Sequence, residues 1–365
     1  MKKKICLVGG EDVHKRIQLS QYLIASDFEV TIIGTSKQSF PENITYHSYN
    51  LRRDLSPIND YKTILWYRKF FSDNTFDLIH TFDTKPAFLV PLALKNTQTP
   101  ITRTITGLGT IFMTKSFMSK GLRLIYKLLH LKVKTRVHTT IFQNLDDRDV
   151  YIKNKLISKN SYQLIYSSGI ELNDFKDRAP RKNSPFTFIC VARIVYEKGI
   201  INLLEAARNC KNLGHNFKVL LVGPLEENSK RLNKEILNAY QDVVTYLGER
   251  QDILDLLASS DAFVLPTFRE GFSRVLLEAA AMGLPIISTN VTGVREFARH
   301  NEEAILIEPK DSEALTQAMI TMANNKDLSS RLIENAIKRV ELFSLENVSK
   351  QYIAIFENAI NNVTK

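Results

Sequence analysis

Two glutamates, Glu270 and Glu278, stand eight positions apart in the stretch REGFSRVLLEAAAMGLP at residues 269–285. Gly271 belongs to a short loop after an apolar strand, and Ser273 can cap the helix that follows. A glycine loop at a helix N-terminus offers free backbone N–H groups and the positive end of the helix dipole. These features suit a phosphate group, so this stretch predicts an anion site flanked by two carboxylates.

The distance between the two carboxylates fits one ligand class. Glu270 and Glu278 are at most ~12 Å apart if the segment is helical throughout, which is the span of one sugar nucleotide. One carboxylate could hold sugar hydroxyls and the other ribose hydroxyls, with a diphosphate between them. A surface glutamate followed by a helix glutamate that faces solvent fits the spacing as well, and the spacing alone leaves both readings open.

A second group of charged residues lies in VARIVYEKGI at residues 191–200. Arg193 ends a predicted strand, and Lys198 opens the next helix. Cations at this position neutralise the charge that develops on a diphosphate leaving group. Two solvated surface cations are the alternative reading.

Two glycine loops are weaker signals. Gly9 and Gly10 follow the first strand in VGGEDVHKR and would let the backbone approach a ligand, although the dinucleotide pattern G-x-G-x-x-G is absent. The uncharged loop TITGLGTIF at 104–112 also follows a strand. Each of these loops is also compatible with a plain strand-to-helix turn.

The net charge of +10 is concentrated in one part of the chain. Residues 84–145 contain no Asp or Glu, which predicts a basic face for an anionic partner. The region 115–136 mixes these cations with apolar residues, which suits a helix on an anionic membrane, although a core-facing helix with a basic outer side fits equally. The window contains ten cations: Lys85, Lys95, Arg103, Lys115, Lys120, Arg123, Lys127, Lys132, Lys134 and Arg136.

Short apolar runs alternate with helical patterns along all 365 residues, which predicts parallel sheets built from strand–helix–strand units. The polar, proline-containing segment 171–185 divides the chain into two parts. We therefore expect an α/β protein of two tandem Rossmann-like, doubly wound domains that face a central crevice. Cys6, Cys190 and Cys210 lack metal-ligand spacing and indicate reduced thiols in a cytoplasmic protein.

Taken together, these stretches resemble the family 4 retaining glycosyltransferases of the GT-B fold. The resemblance covers the whole chain and is strongest from about 188 to 296, through Arg193, Lys198, the E-x7-E pair and YLGERQDILDLLASSDAFVLPTFREG at 246–271. TGLG at 106–109 and SSGIEL at 167–172 are similar to bacterial members that extend undecaprenyl-diphosphate-linked glycans, including N-acetylgalactosaminyltransferases.

The resemblance implies a role for each matching position. Arg193, Lys198 and Glu270 would be catalytic, the two cations on the donor diphosphate and Glu270 on the donor sugar. Glu278 would hold the ribose, and no metal or cofactor would be needed. The other donor-binding positions would be Gly9, Gly10, Glu249, Arg250, Gly271, Phe272, Ser273 and Arg274.

Two departures from the family pattern limit these roles. Ser273-Arg274 stands where glycine or proline commonly follows the aromatic residue, so Arg274 is either an extra phosphate contact or a solvated side chain. The TITGLG loop has no histidine, so no acceptor base can be named. Same-face attack with the donor phosphate as proton acceptor would not need one.

The resemblance implies domain boundaries as well as a reaction. Residues 1–172 with a final helix at about 346–365 would bind the acceptor, and residues 186–345 would bind the nucleotide sugar. We expect a UDP-hexosamine donor and a lipid-linked or polysaccharide acceptor in bacterial surface glycan synthesis, on the inner face of the membrane.

Two alternatives stay open at the level of the sequence. A soluble glycosyltransferase with a small-molecule or free glycan acceptor fits the same donor motifs. A module that binds an anionic surface fits the charge, but nucleic acid is not expected, because residues 113–138 offer only Phe117 and Tyr126 for base stacking.

Overall fold

The computed structural model describes residues 2–52, 56–95, 97–108, 117–158, 161–176, 184–226 and 231–362, with only the backbone of 117–119. The chain divides into two compact units, residues 1–166 with 345–365 and residues 167–344. Part of the predicted linker, part of TITGLG and the start of the basic region lie outside the described residues.

The first unit contains a parallel sheet with the strand order β3-β2-β1-β4-β5-β6-β7. Its strands are β1 (Lys3–Val8), β2 (Phe28–Gly34), β3 (Thr45–Ser48), β4 (Leu78–Thr81), β5 (Ile101–Ile105), β6 (Val137–Phe142) and β7 (Tyr162–Leu164). Its first five helices are α1 (Ile17–Ala25), α2 (Pro57–Asp73), α3 (Pro86–Ala93), α4 (Phe117–Val133) and α5 (Leu145–Lys153).

Helices cover both faces of this sheet, which is why its strands are apolar runs rather than alternating patterns. Ile5 and Leu7 of β1 belong to one core cluster, whereas Cys6 and Val8 belong to another on the opposite face. Helix α1 packs on the first face. On the second face, α2 contacts α3 and α3 contacts α4.

The second unit repeats this plan with the strand order β10-β9-β8-β11-β12-β13. The strands are β8 (Thr187–Val191), β9 (Lys218–Val222), β10 (Val244–Tyr246), β11 (Ala262–Leu265), β12 (Ile286–Thr289) and β13 (Ala304–Ile307). The helices are α6 (Ile200–Asn212), α7 (Lys234–Asn238), α8 (Ile253–Ala258), α9 (Arg274–Ala281), α10 (Ser312–Asn324) and α11 (Lys326–Val340). The predicted α/β class with two Rossmann-like domains is confirmed.

The second unit begins earlier in the chain than the sequence indicates. Ile170 donates its backbone N–H to the carbonyl of Phe343 at 3.2 Å and forms a parallel bridge with Ser344. Residues 167–172 therefore belong with the second unit and not with the first.

The last helix, α12 (Leu345–Asn361), returns to the first unit as predicted. Tyr352 and Phe356 lie four residues apart on its buried side and join the core of the α1 face. The Tyr352 hydroxyl hydrogen-bonds Thr104 at 3.0 Å, and Thr104 also bonds Nε2 of His80 at 3.0 Å. This buried polar chain ties α12 to β4 and β5.

Arg103 does not contribute to the predicted basic face. Its side chain is fully buried in β5, where it donates to Oγ1 of Thr140 at 3.0 Å and to the carbonyl of Leu156 at 3.3 Å. Its Nη1 also lies 2.8 Å from Nδ1 of His130. Because neutral acceptors satisfy this buried guanidinium, Arg103 stabilises the fold and is not available to a ligand. The expectation that all ten cations share one surface is therefore wrong.

Two further cations of the window have internal partners. Lys85 pairs with Asp60 of α2 at 2.6 Å, and both side chains are largely buried. Arg136 donates to the carbonyls of Leu94 and Thr97 at 2.7 and 2.8 Å. Among the described cations of this window, only Lys95 and those on or directly after α4 are left for the predicted basic face. In the part of the chain that the structure describes, no helix is long and apolar enough to cross a bilayer.

Candidate active site

Both sheets have a point where the strand order reverses, and ligands of open α/β sheets bind beyond the carboxyl ends of the strands at such a point. In the second unit this point lies between β8 and β11, which pair directly. The loop 192–199 follows β8 and the loop 266–273 follows β11. The sheet thus brings together two segments that lie about seventy residues apart in the sequence.

Lys198 and Glu270 meet at this point. The ammonium group lies 2.5 Å from Oε1 of Glu270, and the two side chains are only 18% and 12% exposed. The ion pair is thus largely sheltered from water but still in contact with it. Cys190 lies behind it in β8, where burial raises the thiol pKa to about 12, so this cysteine is an inert thiol.

A glycine allows the two loops to approach this closely. Gly199 has φ +69, and a Cβ at this position would lie 1.9 Å from the carbonyl oxygen of Pro266. The backbone N–H of Phe268 also donates to the carbonyl of Glu197 at 2.9 Å. Lys198 is therefore held against the β11 loop by backbone contacts that no other residue type at 199 would allow.

A third loop, after β12, fixes Glu270 from the other side. Glu270 and Ser273 donate their backbone N–H groups to the carbonyls of Thr292 and Gly293, each at 2.9 Å. Gly293 has φ +82, and a Cβ there would lie 2.5 Å from the Cβ of Glu270. The sequence reasoning missed this loop, although a glycine four residues after the apolar strand PIIST was the signal for it.

Helix α9 begins where the sequence predicts, but its cap is unusual. Ser273 is the N-cap residue, yet its hydroxyl makes no capping hydrogen bond. The side chain is 3% exposed, and its oxygen has no hydrogen-bond partner among the described residues. A buried polar group without a partner costs stability unless a ligand satisfies it. Together with the helix dipole, this hydroxyl favours an anion at the start of α9.

Glu278 and Arg274 lie one turn apart on the less buried side of α9. Nε of Arg274 contacts Oε1 of Glu278 at 3.1 Å. Leu276 and Leu277 point into the core instead. Arg274, which departs from the family pattern, therefore has a partner within the chain. This partner, Glu278, is the carboxylate predicted to hold the ribose.

Arg193 reaches neither member of the central ion pair. Its guanidinium lies 3.7 Å from the carboxylate of Glu226 in the loop after β9, and both side chains are 65% exposed. A ligand could recruit so exposed a cation at little cost, because a surface ion pair of this kind is weak.

Glu249 and Arg250 lie farther along the same sheet edge. They follow β10, the outermost strand, and both are exposed. Arg250 holds Asp252 through two hydrogen bonds of 2.8 and 2.7 Å, and this contact lowers the pKa of Asp252. The structure therefore places these two predicted donor-binding residues two strands away from β8, the strand that leads to Lys198.

Phe272 and Gly271 complete the β11 loop. The Phe272 ring packs at 5.4 Å from the ring of Phe343, which holds the loop against the end of the second unit. Among the residues that the structure describes, no three His, Cys, Asp or Glu side chains are grouped as metal ligands.

Gly9 and Gly10 occupy the equivalent point of the first unit, between β1 and β4. Gly10 donates its N–H to Oδ2 of Asp83 at 2.9 Å, and the hydroxyl of Tyr49 donates to the carbonyl of Gly9 at 2.7 Å. A Cβ on Gly9 would lie 2.8 Å from the side chain of Val13. These glycines form a tight, fully bonded turn.

Two family descriptions match the chain, one for each unit. Residues 173–339 match Glycosyl transferases group 1, and residues 4–144 match Glycosyl transferase 4-like. The chain is a GT-B glycosyltransferase. The first description covers the Lys198–Glu270 pair, and the second covers the Gly9–Gly10 turn.

Two of the curated relatives of this glycosyltransferase are bacterial enzymes that act on lipid-linked sugars. It is 26% identical, over 86% of this chain and 85% of the relative, to a Campylobacter jejuni N,N'-diacetylbacillosaminyl-diphospho-undecaprenol alpha-1,3-N-acetylgalactosaminyltransferase. It is also 26% identical, over 80% of each chain, to an Escherichia coli UDP-Gal:alpha-D-GlcNAc-diphosphoundecaprenol alpha-1,3-galactosyltransferase. Among solved structures, a sucrose-phosphate synthase from Thermosynechococcus elongatus superposes with a TM-score of 0.83 at 19% identity, covering 99% of this chain and 100% of that one.

Proposed function

We propose that this glycosyltransferase transfers a hexosamine, with retention, from a UDP-sugar to a lipid-linked acceptor in bacterial surface glycan synthesis. The observation that carries the proposal is the sheltered Lys198–Glu270 pair beside the open N-terminus of α9. The relatives' names support the finer parts, since one transfers N-acetylgalactosamine, one uses UDP-galactose and both act on undecaprenyl-diphosphate sugars.

The start of α9 and the β8 loop would bind the donor diphosphate. The backbone N–H of Arg274 and the hydroxyl of Ser273 would contact the distal phosphate. Lys198, and Arg193 recruited from its weak pair with Glu226, would stabilise the negative charge that grows on the leaving phosphate. Side chains of this kind supply the charge that a divalent cation supplies in other enzymes, so the proposed reaction is metal-independent.

Glu270 would orient the donor sugar. Its backbone is fixed by Thr292, and its carboxylate keeps one oxygen on Lys198 while the other can accept a sugar hydroxyl. Glu278 would accept the two ribose hydroxyls, with Arg274 balancing its charge. In the transfer, the bond from the anomeric carbon to phosphate breaks, the acceptor hydroxyl attacks from the same face, and its proton passes to the departing phosphate.

Helix α4 supports the membrane part of the proposal. Leu124 and Leu128 lie one turn apart on its outer side and are 59% and 56% exposed, and Ile125 and Leu131 are exposed beside them. The helix carries four cations near this stripe: Lys120, Arg123, Lys127 and Lys132. An apolar stripe bordered by cations binds anionic lipid, so we propose a peripheral enzyme on the cytoplasmic face of the membrane.

A thermal-shift screen of the purified protein against UDP-, GDP- and ADP-linked sugars tests the donor. We expect a shift with one UDP-hexosamine, and a smaller shift in Glu278→Gln because the ribose loses an anionic acceptor. Binding should weaken about tenfold, which corresponds to one hydrogen bond to a charged group. Glu313→Gln, on the distant helix α10, is the matched control. Unchanged donor affinity in Glu278→Gln would contradict the ribose role.

A further inference from the structure

A cavity of about 650 Å³ opens at the carboxyl edge of β2 and β3 in the first unit. We call it the edge cavity. Ser36 follows β2, Asn50 follows β3, and Lys62 and Trp66 of α2 form the opposite wall. None of the sequence motifs drew attention to this place, because its lining comes from three separate segments.

The lining of the edge cavity is cationic. Lys37, Arg52 and Lys62 border it, and none of its lining residues within the described part of the chain is acidic. Neither Lys37 nor Lys62 forms an ion pair with a residue that the structure describes. Two ammonium groups without counter-charges beside hydroxyl and amide groups favour an anionic, hydroxyl-rich ligand.

An aromatic wall adds a second recognition element. Trp66 stacks on Tyr49 with ring centroids 5.2 Å apart and on Phe70 at 5.0 Å, so its ring is held rigidly while part of it stays exposed. A fixed aromatic surface next to hydrogen-bonding groups suits the C–H face of a sugar ring.

The edge cavity is joined to the Gly9–Gly10 turn. Tyr49, which lines the cavity, donates its hydroxyl proton to the carbonyl of Gly9, and the backbone N–H of Thr35 donates to the carbonyl of Gly10 at 3.2 Å. A ligand in the cavity therefore lies next to the point of the first sheet where the strand order reverses, as ligands of such sheets do.

Helix α2 has an apolar stripe beside its cavity wall. Asn59, Lys62 and Trp66 face the cavity, whereas Ile58 and Leu65 lie on another side of the helix and are 74% and 43% exposed. Tyr61, between them, is exposed as well. The helix that walls the polar cavity thus also exposes an apolar surface, which an aqueous sugar phosphate does not require and a lipid-borne one could contact.

We propose that the edge cavity binds the phosphate-bearing sugar of the acceptor, with Lys37 and Lys62 on the phosphate and Trp66 against the sugar ring. This rests on the proposed function, because it takes the acceptor to be a glycan on a lipid phosphate. Trp66 is the only tryptophan of the chain, so its fluorescence reports on this cavity alone.

Calorimetric and fluorescence titrations test the proposal with three probes. The probes are N-acetylglucosamine 1-phosphate, uncharged N-acetylglucosamine, and a polyprenyl diphosphate sugar in neutral vesicles. We expect saturable binding of the phosphorylated probes with a change in Trp66 fluorescence, and about tenfold weaker binding in each of Lys37→Gln and Lys62→Gln. Lys69→Gln, exposed on α2 outside the lining, is the matched control.

Tighter binding of the vesicle-borne probe identifies the lipid headgroup as the source, and equal binding identifies a free sugar phosphate.

The proposal is overturned if no phosphorylated probe gives saturable heat or fluorescence change, or if the uncharged sugar binds equally well. Equal losses in Lys69→Gln would overturn it too. Donor thermal shifts measured on the same samples separate the two proposals. A normal thermal shift with the UDP-sugar but no probe binding would contradict the edge-cavity proposal and leave the donor proposal standing. Probe binding without any donor shift would contradict the donor proposal and leave the edge-cavity proposal standing.

Discussion

The two sheets of this glycosyltransferase reverse their strand order in the same way, but the loops beyond the two reversal points differ in construction. In the second unit, Lys198 and Glu270 form a sheltered ion pair that Gly199 and Gly293 hold by close backbone contact. In the first unit, the Gly9–Gly10 turn lies next to a wide cavity whose lysines form no ion pair with a described residue. The reversal point of the second unit carries a preorganised ion pair, whereas the reversal point of the first unit lies beside a wide cavity lined by cations.

This difference matches two kinds of recognition. Catalysis needs charges that are already in place when the leaving group departs, because reorientation during the reaction raises the barrier. Binding of a variable glycan needs space and mobile cations more than it needs fixed geometry. If this comparison is right, the second unit should depend on fixed loop contacts around Lys198, and the first unit should carry the contact with the membrane surface.

The largest effect should follow loss of Lys198. Lys198→Ala removes the cation proposed to stabilise the leaving phosphate and leaves Glu270 as an uncompensated, largely buried carboxylate. We expect turnover to fall by about 10²- to 10³-fold, measured as initial rates of sugar transfer at saturating donor. Lys338→Ala, on the exposed side of α11, is the matched control.

The double variant Lys198→Ala with Glu270→Gln makes this test sharper. If the two residues act as one unit, the double variant should lose little more activity than Lys198→Ala alone. Fully additive losses, or near-normal turnover in Lys198→Ala, would remove this pair from the reaction.

The next effect tests the rigidity of the second unit directly. Gly199→Ala would place a methyl group 1.9 Å from the Pro266 carbonyl, whereas Gly214, with φ +86, has open space around its Cβ position. Both substitutions carry the backbone cost of positive φ, about 1–2 kcal/mol. We expect Gly199→Ala to cost at least about 2 kcal/mol more in free energy of unfolding than Gly214→Ala. Chemical denaturation curves that coincide would show that the loop contact is not required.

Local signals explain why much of this fold could be predicted from the sequence. Ser273 and Gly283 mark the ends of α9 because caps and left-handed stops depend on neighbouring residues only. The fully buried strands were readable from their apolar runs. In contrast, β3 and β7 were missed, because these short outer strands carry exposed or half-buried residues without a clear pattern.

Contacts between distant segments explain what could not be predicted. Arg103 was taken for a surface cation, yet acceptors more than thirty residues away, on Thr140 and Leu156, bury it. The edge cavity and the Gly293 loop depend likewise on strands that become neighbours only in the sheet. The sequence named Lys198, Glu270 and Arg193 as donor-site candidates, but it did not show that Lys198 contacts Glu270 while Arg193 lies apart.

Acidification should destabilise the first unit more than the second. Burial is the main cause that holds the pKa of His80 well below its ordinary value, and the nearby Arg16 lowers it further. Burial also lowers the pKa of His130 well below its ordinary value, with a further contribution from Arg103. Both rings are therefore neutral when folded but take up protons when unfolded below a pH of about 6.5, so stability falls as the pH drops through that value. Each ring contributes up to about 1.4 kcal/mol per pH unit.

Hydrogen exchange at pH 7.5 and 5.5, corrected for intrinsic rates, measures this difference. We expect protection to fall in β4, β5 and α12, which surround His80, more than in β8 and β11 of the second unit. Equal loss of protection in both sheets would contradict a role for these histidines. The variant His80→Gln should reduce the pH dependence by about half.

The smallest effect concerns binding to an anionic membrane surface, which should depend on cations of the first unit and not on cations of the second. Replacing Lys120, Arg123, Lys127 and Lys134 with Gln removes cations on and directly after α4, each worth at most about 1 kcal/mol near an anionic bilayer. Lys134 also donates to a backbone carbonyl of the chain at 3.3 Å. The other three cations, each below that upper bound, should therefore contribute about 2 kcal/mol in total. We expect this variant to co-sediment with phosphatidylglycerol vesicles about thirtyfold less than the unaltered enzyme at low salt.

A variant with four Gln replacements in the second unit, at Lys211, Lys218, Lys326 and Lys338, has the same net charge and should bind normally. If both variants lose binding equally, net charge alone drives the association and α4 has no special part in it. If the α4 variant still co-sediments, the exposed leucines or another surface carry the contact, and the basic face is not the membrane site.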